Sequence, residues 1–344
     1  MPVIPNLMER LILLKLNLGP GPMLDFLGAA AFRTVIVAHR LGVFETLSGG
    51  PRMAAEVARQ IEADERGTTL LLEALEALGY VKKKDGRYAS TAMTAKWLPI
   101  LADGIPFFES VMFELWGHLE ESIRRGEPPM TVYEWFGQRP GGLREFQAGM
   151  IAIARLSVDE ILAKVKLPPT ARRLLDVGGG HGLYAIKFCR RYPQVSATVF
   201  DLAEALEVAR ETVAAEQMDD RVSMQEGDFW VDDLGTGYNV ALLFNIVHGH
   251  LPDKNAELLR KVAGALNPGG LIVILDQLVG KAPGGAAKAS VRLTALNLFN
   301  AVGGQTYEFQ EIARWLTAAG FTSPRRINLF RSPGNSLVLG TKTG

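Results

Sequence analysis

A glycine-rich loop is the part of the sequence best suited to hold a ligand. The apolar run Leu174–Val177 predicts a buried strand, and the loop after it opens the predicted helix Leu183–Arg191. Glycines let the backbone approach a ligand closely and adopt positive φ, and a helix N-terminus offers free N–H groups. We therefore expect a ligand here, held in part by three glycines: Gly178, Gly180 and Gly182.

Two kinds of ligand fit this loop. Gly180, Gly182 and Ala185 satisfy the dinucleotide pattern G-x-G-x-x-[GA]. Asp201 follows Gly180 by 21 residues, at the end of the next predicted strand, where an acid can hold the ribose of NAD. These residues leave an NAD-dependent oxidoreductase open.

Three features favour S-adenosylmethionine (SAM). Asp176 directly precedes the loop, where an acid can meet the cationic amino-acid end of SAM. After the third strand, Asp228 can accept from the adenine amino group while Phe229 packs on the ring. Residues 325–340 predict a terminal antiparallel hairpin, which is the third feature. As an alternative, Asp201 and Asp228 only cap helices and turns.

The elements before residue 101 outline a winged helix. Helices are predicted over Ala30–Leu41, Met53–Ile61 and Glu65–Leu78, and Asp85-Gly86 predicts a hairpin turn between two short strands. Many winged helices bind DNA, but the leucine-rich part of the third helix carries no basic residue. We therefore expect it to bury apolar surface rather than to enter a DNA groove.

The predicted secondary structure after residue 100 changes from helical to alternating strands and helices, and then to a terminal hairpin. Residues 101–165 form an aromatic-rich helical segment, and from residue 166 strands and helices alternate, which is typical of a parallel sheet covered on both faces. The last helix, Glu308–Ala319, precedes a hairpin with its turn at Ser332-Pro333-Gly334-Asn335. The pattern predicts three parts: residues 1–100, 101–165 and 166–344.

Composition limits the classes of partner. Lysine plus arginine and aspartate plus glutamate number 37 each, so the chain has no net field to attract nucleic acid or an anionic membrane. Cys189 is the only cysteine, which suits a reducing compartment, and we expect a cytoplasmic protein without a membrane span. A small molecule is the expected partner.

With these residues assembled, the chain resembles the small-molecule O-methyltransferases of the caffeic acid and hydroxyindole type and is identified as a member of that family. The resemblance covers nearly the whole chain and rests on short segments in both halves. These are Leu41–Glu45, Tyr88–Thr91, Phe146–Met150, Asp176–Gly182, Phe200–Leu202, Gly227–Phe229, Leu266–Gly270 and Ala319–Phe321.

The resemblance implies an α/β fold: a C-terminal Rossmann-like class I methyltransferase domain with a mostly parallel seven-stranded sheet and a terminal antiparallel hairpin. It also implies an N-terminal, mainly helical winged-helix domain that makes a homodimer, and an acceptor pocket between the domains. The implied cofactor contacts are Asp176, Gly178, Gly180, Gly182, Asp201, Leu202, Asp228, Phe229 and Asn245. The implied acceptor contacts are Trp116, Phe146, Met150, Phe299 and Asn300.

Methyl transfer to a hydroxyl needs a base, which in this family is a histidine after the fourth strand. His248 falls on that position, and His250 is a possible substitute. The sequence departs from the family pattern because Gly249 replaces an aspartate and Phe244 replaces a lysine common in plant members. The supporting glutamate position falls on Gln305 or Thr306, so we expect the histidine–glutamate pair to be incomplete.

The leading hypothesis is a SAM-dependent methyltransferase acting on a hydroxyl of a small aromatic or polyketide-like acceptor. A C- or N-methyltransferase working by alignment alone is the alternative among enzymes. A SAM-binding DNA regulator and an NAD-dependent oxidoreductase are less favoured. No metal is expected, because His248, His250 and Asp253 lack a further well-spaced ligand.

Overall fold

The computed structural model describes residues 6–280, 285–332 and 334–344, and the chain separates into two compact units, Met1–Ile105 and Pro106–Gly344. Pro333, in the predicted terminal turn, lies outside the described residues, but Asn335 N donates to Ser332 O (3.0 Å) across it. Among the described residues no helix is long and apolar enough to cross a membrane.

The first unit is a helical domain with a small antiparallel sheet in the order β1-β3-β2. Asp64 caps one helix by accepting from Gly67 N (2.7 Å), and the Asp85-Gly86 pair adopts positive φ (50° and 73°) at the predicted hairpin turn. Its elements are α1 (Leu7–Arg10), a π-helical segment (Leu11–Lys15), α2 (Met23–Arg40), α3 (Val43–Ser48), β1 (Arg52–Met53), α4 (Ala54–Gln60), α5 (Glu65–Ala77), β2 (Val81–Lys84), β3 (Arg87–Ser90), α6 (Ala92–Leu101) and a 3-10 turn (Ala102–Gly104).

Apolar surface in this unit falls into two groups. One group forms the core, in which Leu72 and Leu75 of α5 pack with Val57 and Tyr88, as the leucine-rich helix predicted. The other group stays exposed near the start of the chain. Its members expose more than half of their surface and are Leu7, Met8, Leu14, Leu16, Leu18 and Phe26.

The second unit is built on a twisted sheet in the order β10-β11-β8-β7-β4-β5-β6. The pairings from β8 to β6 are parallel, and β11 runs antiparallel to both β8 and β10, which makes the predicted terminal hairpin. A two-residue strand, β9, pairs with β8. The strands are β4 (Arg173–Val177), β5 (Ser196–Asp201), β6 (Val222–Glu226), β7 (Tyr238–Phe244), β8 (Leu266–Val279), β9 (Tyr307–Glu308), β10 (Phe321–Asn328) and β11 (Asn335–Lys342).

Helices cover both faces of this sheet. They are α7 (Ile105–Phe113), α8 (Leu119–Arg125), α9 (Val132–Gly137), α10 (Gly142–Lys164), α11 (Leu183–Arg191), α12 (Ala203–Ala215), α13 (Pro252–Ala265), α14 (Gly285–Val302) and α15 (Phe309–Ala318), with 3-10 turns at Leu115–His118 and Val247–Gly249. Successive strand residues point to opposite faces, so Leu174 packs with α10 to α12 and Leu175 with α13 and α15. Cys189 of α11 lies in the first of these cores, and burial raises the pKa of its thiol to about 11.

Candidate functional site

The glycine-rich loop joins the buried strand β4 to the N-terminus of α11. Gly178, Gly180 and Gly182 all adopt positive φ (64°, 48° and 71°), a conformation that residues other than glycine rarely adopt. A Cβ on Gly178 would overlap with the side chain of Ile246. The loop therefore presents bare backbone at the start of a helix, as the sequence predicted.

Asp176, at the end of β4, is almost fully buried beneath this loop. Its Oδ2 atom has no hydrogen-bond partner among the residues that the structure describes. Burial, and secondarily the charge of Asp201, raise the pKa of Asp176 to about 7. A buried carboxylate oxygen without a partner is unfavourable, so this position fits a cationic donor such as the ammonium group of SAM.

Asp201, at the end of β5, is tied to the same loop. One carboxylate oxygen accepts from Gly180 N (2.8 Å) and the other from Leu202 N (2.8 Å). Burial raises its pKa, and the two backbone donors oppose that effect. Each oxygen keeps a further lone pair, so the fixed carboxylate fits the two hydroxyls of a ribose.

Asp228 and Phe229 form a turn after β6. Asp228 Oδ1 accepts from Trp230 N (2.8 Å), so this side chain does act as a turn cap, the alternative that the sequence left open. Phe229 O accepts from Lys261 Nζ (2.9 Å), which fixes the backbone beside the ring. Phe229 remains half-buried, which fits a ring that packs against adenine.

The chain leaves β7 through a strained residue and reaches the predicted base. Asn245 adopts φ 59° while its N–H donates to Leu275 O (2.8 Å) of β8, and the 3-10 turn Val247–Gly249 follows. This turn carries His248, whose side chain is 14% exposed.

The family glutamate is missing, but His248 has another carboxylate partner, Asp276. Its Nδ1 lies 2.6 Å from Asp276 Oδ1, and its backbone N donates to Asp276 Oδ2 (3.0 Å). Asp276 stands near the end of β8, whose neighbour β7 leads to His248. The family pattern places a glutamate in the loop beyond β8, whereas the partner here is an aspartate within that strand.

The backbone of His248 is fixed from a second side. Gln305 N donates to His248 O (2.9 Å), and a Cβ on Gly304 would overlap with that same oxygen. The segment on which the family glutamate was expected therefore contacts the base through backbone.

His250 is less suited to act as the base. Burial and the neighbouring His248 lower the pKa of His250 to about 4. Its ring packs edge-on against Trp230, with centroids 4.8 Å apart, and its carbonyl accepts from Tyr307 Oη (2.5 Å). His181 also has a structural role, because its Nδ1 accepts from Leu183 N (3.1 Å) at the start of α11.

The predicted acceptor contacts separate into two groups. Phe146 and Met150 of α10 are half-buried in an aromatic cluster with Phe107 and Phe136. Asn300 does not fit the role, because it is 2% exposed and its amide accepts from Ser122 Oγ (2.7 Å) and donates to Leu115 O (3.0 Å).

Two of the predicted acceptor residues lie around α14. Trp116 donates from Nε1 to Asn297 Oδ1 (2.7 Å), which leaves its indole face as the part available for a ligand. Phe299 of α14 is half-buried.

Two residues that the sequence did not single out lie near the cofactor loop. Tyr133 exposes 56% of its surface, but enclosure of its hydroxyl and the charge of Asp201 raise its pKa to about 12. Gln147 of α10 faces Gly180. Gln147 lies within the segment Phe146–Met150 that carries the family resemblance, but nothing in that segment indicated a contact with the cofactor loop. No cluster of His, Cys, Asp and Glu in the described residues could hold a metal ion.

Comparison with known proteins identifies the family. The O-methyltransferase domain matches residues 116–322 and the O-methyltransferase dimerisation domain matches residues 25–99. The chain is 32% identical to a 3-hydroxy-5-methyl-1-naphthoate 3-O-methyltransferase of Streptomyces sahachiroi, over 90% of this chain and 91% of that protein. It is 26% identical to an L-tyrosine C(3)-methyltransferase of Streptomyces lavendulae, over 92% and 90% of the two chains.

A solved structure shows the same fold. Human N-acetylserotonin methyltransferase in complex with SAM matches with a TM-score of 0.81 at 23% identity, over 100% of both chains. The chain therefore belongs to the O-methyltransferase family, carries its dimerisation domain and is a SAM-dependent methyltransferase.

Proposed function

We propose that this protein methylates a hydroxyl group of a small aromatic or polyketide-like acceptor, with His248 as the general base. The hydrogen bond between His248 and Asp276 is the observation that carries the proposal. Because the carboxylate accepts the proton on Nδ1, the Nε2 atom is left as an acceptor. A neutral imidazole held in this way can take the proton of a phenol.

Bound SAM supplies an electrophilic methyl group on a sulfonium. The acceptor oxygen loses its proton to His248 Nε2 as the new carbon–oxygen bond forms, and the carbon–sulfur bond breaks to leave S-adenosylhomocysteine (SAH). The protein's main contribution is alignment of the acceptor with the methyl group and removal of one proton. Asp276 holds the imidazole in the required tautomer and stabilises its protonated form.

The cofactor contacts follow from the donors and acceptors of the loop. We assign Asp201 to the ribose hydroxyls, Asp228 and Phe229 to adenine, and Asp176 to the ammonium end. Contacts from backbone and apolar surface are assigned to Gly178, Gly180, Gly182, Leu202 and Asn245.

The proposed acceptor class rests on partly exposed aromatic and apolar side chains and on relatives. Trp116, Phe146, Met150 and Phe299 are the side chains that we assign to the acceptor, and aromatic rings suit a flat apolar ligand. The relative from Streptomyces sahachiroi is named for a hydroxynaphthoate, an acceptor of this kind. Asn300 is not included.

Methylation at carbon is the second candidate, favoured by the relative named as an L-tyrosine C(3)-methyltransferase. A phenolate is nucleophilic at oxygen and at its ortho carbon, so a histidine base serves both outcomes. The orientation of the ring then decides which atom faces the methyl group. An NMR spectrum of the product separates the two, since an O-methyl and an aryl methyl carbon differ widely in chemical shift.

We also propose that the protein is a cytoplasmic homodimer formed through its first unit. The dimerisation-domain match and the exposed apolar residues between Leu7 and Phe26 support the dimer. The single, buried cysteine suits a reducing compartment. Light scattering of the full-length chain tests the dimer, and a monomer would contradict it.

The test of the base is His248→Ala, assayed for SAH release on a panel of phenols and naphthols. We expect kcat to fall about 10²–10⁴-fold, with SAH affinity nearly unchanged by calorimetry. A more acidic phenol, or higher pH, should partly rescue the variant because an ionised acceptor needs no base. Normal turnover by the variant would show that His248 is not the base.

A further inference from the structure

The side chain of Gln147 is a buried polar group that neither the fold nor the proposed reaction uses. It lies on α10 and exposes only 7% of its surface. Its Oε1 atom has no hydrogen-bond partner within the described part of the chain. A buried carbonyl oxygen without a donor is unfavourable, and such groups in folded proteins are nearly always paired.

The amide of Gln147 lies directly against the cofactor loop. A Cβ added to Gly180 would be 3.1 Å from Gln147 Oε1 and 3.3 Å from Nε2. Gly180 itself donates its N–H to Asp201, so the loop does not supply the missing donor at this point. The absence of a side chain on Gly180 is what allows the amide to come this close.

A second acceptor without a partner lies on the same loop. Asp176 Oδ2 is buried, and a Cβ on the adjacent Gly179 would be 2.7 Å from Asp176 Cγ. Two buried acceptors beside one loop fit a ligand group rich in N–H donors. SAM has one such group, the α-ammonium of its methionine part, which carries three donors and a positive charge.

We propose that Gln147 is a cofactor-binding residue, and that its amide oxygen accepts a hydrogen bond from the α-ammonium group of SAM and SAH. Asp176 supplies the negative charge for that ammonium, and Gln147 supplies a neutral acceptor that fixes its direction. The carboxylate of the methionine part is a poorer partner for this position because Asp176 and Asp201 lie close by. The inference depends on the cofactor and is independent of the acceptor.

The experiment is calorimetric titration of the full-length protein, without acceptor, with three probes. The probes are SAH, an SAH analogue in which the α-ammonium is replaced by hydrogen, and 5′-methylthioadenosine, which lacks the whole amino-acid tail. For Gln147→Met we expect SAH to bind about tenfold or more weakly, with the two other probes changed less than about twofold. Gln147→Glu, which keeps an acceptor of the same shape, should hold SAH affinity within about threefold.

Gln310→Met, an exposed substitution of the same kind on α15, is the matched control and should leave all three affinities unchanged. Equal weakening of all three probes by Gln147→Met would show a structural role and overturn the proposal. Equal weakening of SAH and the analogue without ammonium would assign the contact to the carboxylate instead and overturn it too. If Gln147→Met does not fold, Gln147→Ala carries the same comparison.

Discussion

The two ends of the candidate site, the cofactor loop and the surroundings of the base, differ in whether their buried hydrogen-bond acceptors have donors. At the cofactor loop, Asp176 Oδ2 and Gln147 Oε1 are buried acceptors without donors among the described residues. Near the base, both carboxylate oxygens of Asp276 have donors, since it accepts from His248 Nδ1, His248 N and Gln277 N. We expect the first end to be completed by its ligand, whereas the second is organised by the protein's own hydrogen bonds. Binding and catalysis should therefore respond to different substitutions.

The largest effect is expected near the base, where the acceptors already have donors. Asp276→Asn replaces one carboxylate oxygen by an NH₂ group that faces N–H donors, so the imidazole loses its tautomer and its orientation. We expect kcat to fall about 10²–10³-fold while SAH affinity stays within about twofold. Steady-state kinetics and calorimetry on the same preparation measure both. A loss of SAH affinity equal to the loss of kcat would show that the two ends are not separate.

A smaller effect is expected from Gly304→Ala. The backbone conformation of Gly304 has no positive φ, but the added Cβ overlaps with His248 O and must displace the base. Small displacements of a catalytic group are costly, so we expect kcat to fall about 10- to 100-fold with unchanged SAH binding. Gly264→Ala on α13, where a Cβ meets nothing within 4 Å, is the control and should be silent in both assays. Equal activity of the two variants would refute a positioning role for Gly304.

The smallest expected effect is a pH dependence of SAM affinity at the cofactor loop. Since the pKa of Asp176 is raised to about 7, the free protein binds a proton there that cationic SAM displaces. SAM affinity should rise with pH and level off above about pH 7, by at most about tenfold per pH unit below it. Calorimetry checks this with Asp176→Asn, in which the slope should disappear. A slope that persists in this variant would assign the proton to Asp201, whose pKa is also raised.

The raised pKa of Asp176 also affects the free energy of unfolding of the protein without ligand. Because the folded-state pKa of Asp176 exceeds the ordinary value of 3.8 for an aspartate, the folded protein binds more protons than the unfolded chain between about pH 4 and 7. This carboxyl group therefore lowers the free energy of unfolding as pH rises through that window. Bound SAM should restore the free energy of unfolding that is lost as pH rises.

Local signals account for the parts of the molecule that the sequence predicted well. The helix Leu183–Arg191 and the Asp85-Gly86 turn have the predicted bounds, because glycines and short-range hydrogen bonds determine both. The attachment of Asp201 to the loop follows from the rule that neighbouring parallel strands end at one edge of the sheet.

The partner of His248 depends on a longer-range fact. Phe244 of β7 pairs with Leu275 of β8, which brings His248, just beyond β7, close to Asp276 within β8. The two apolar runs predict both strands, but they do not indicate which residues of the two strands lie side by side. Asn300 contacts Leu115 and Ser122, and Gln147 faces Gly180; these residues are far apart in sequence, and the chain offers no local pattern for such contacts.

The buried thiol of Cys189 gives the second unit an internal reporter of its own opening. Alkylating reagents attack the thiolate, and a thiol with a pKa of about 11 inside a packed core offers almost none at neutral pH. Labelling should proceed only through molecules in which this core has transiently opened, so its rate measures the opening equilibrium. The native chain can therefore be followed by mass spectrometry without an engineered probe, and a cysteine introduced elsewhere on its surface would react alone.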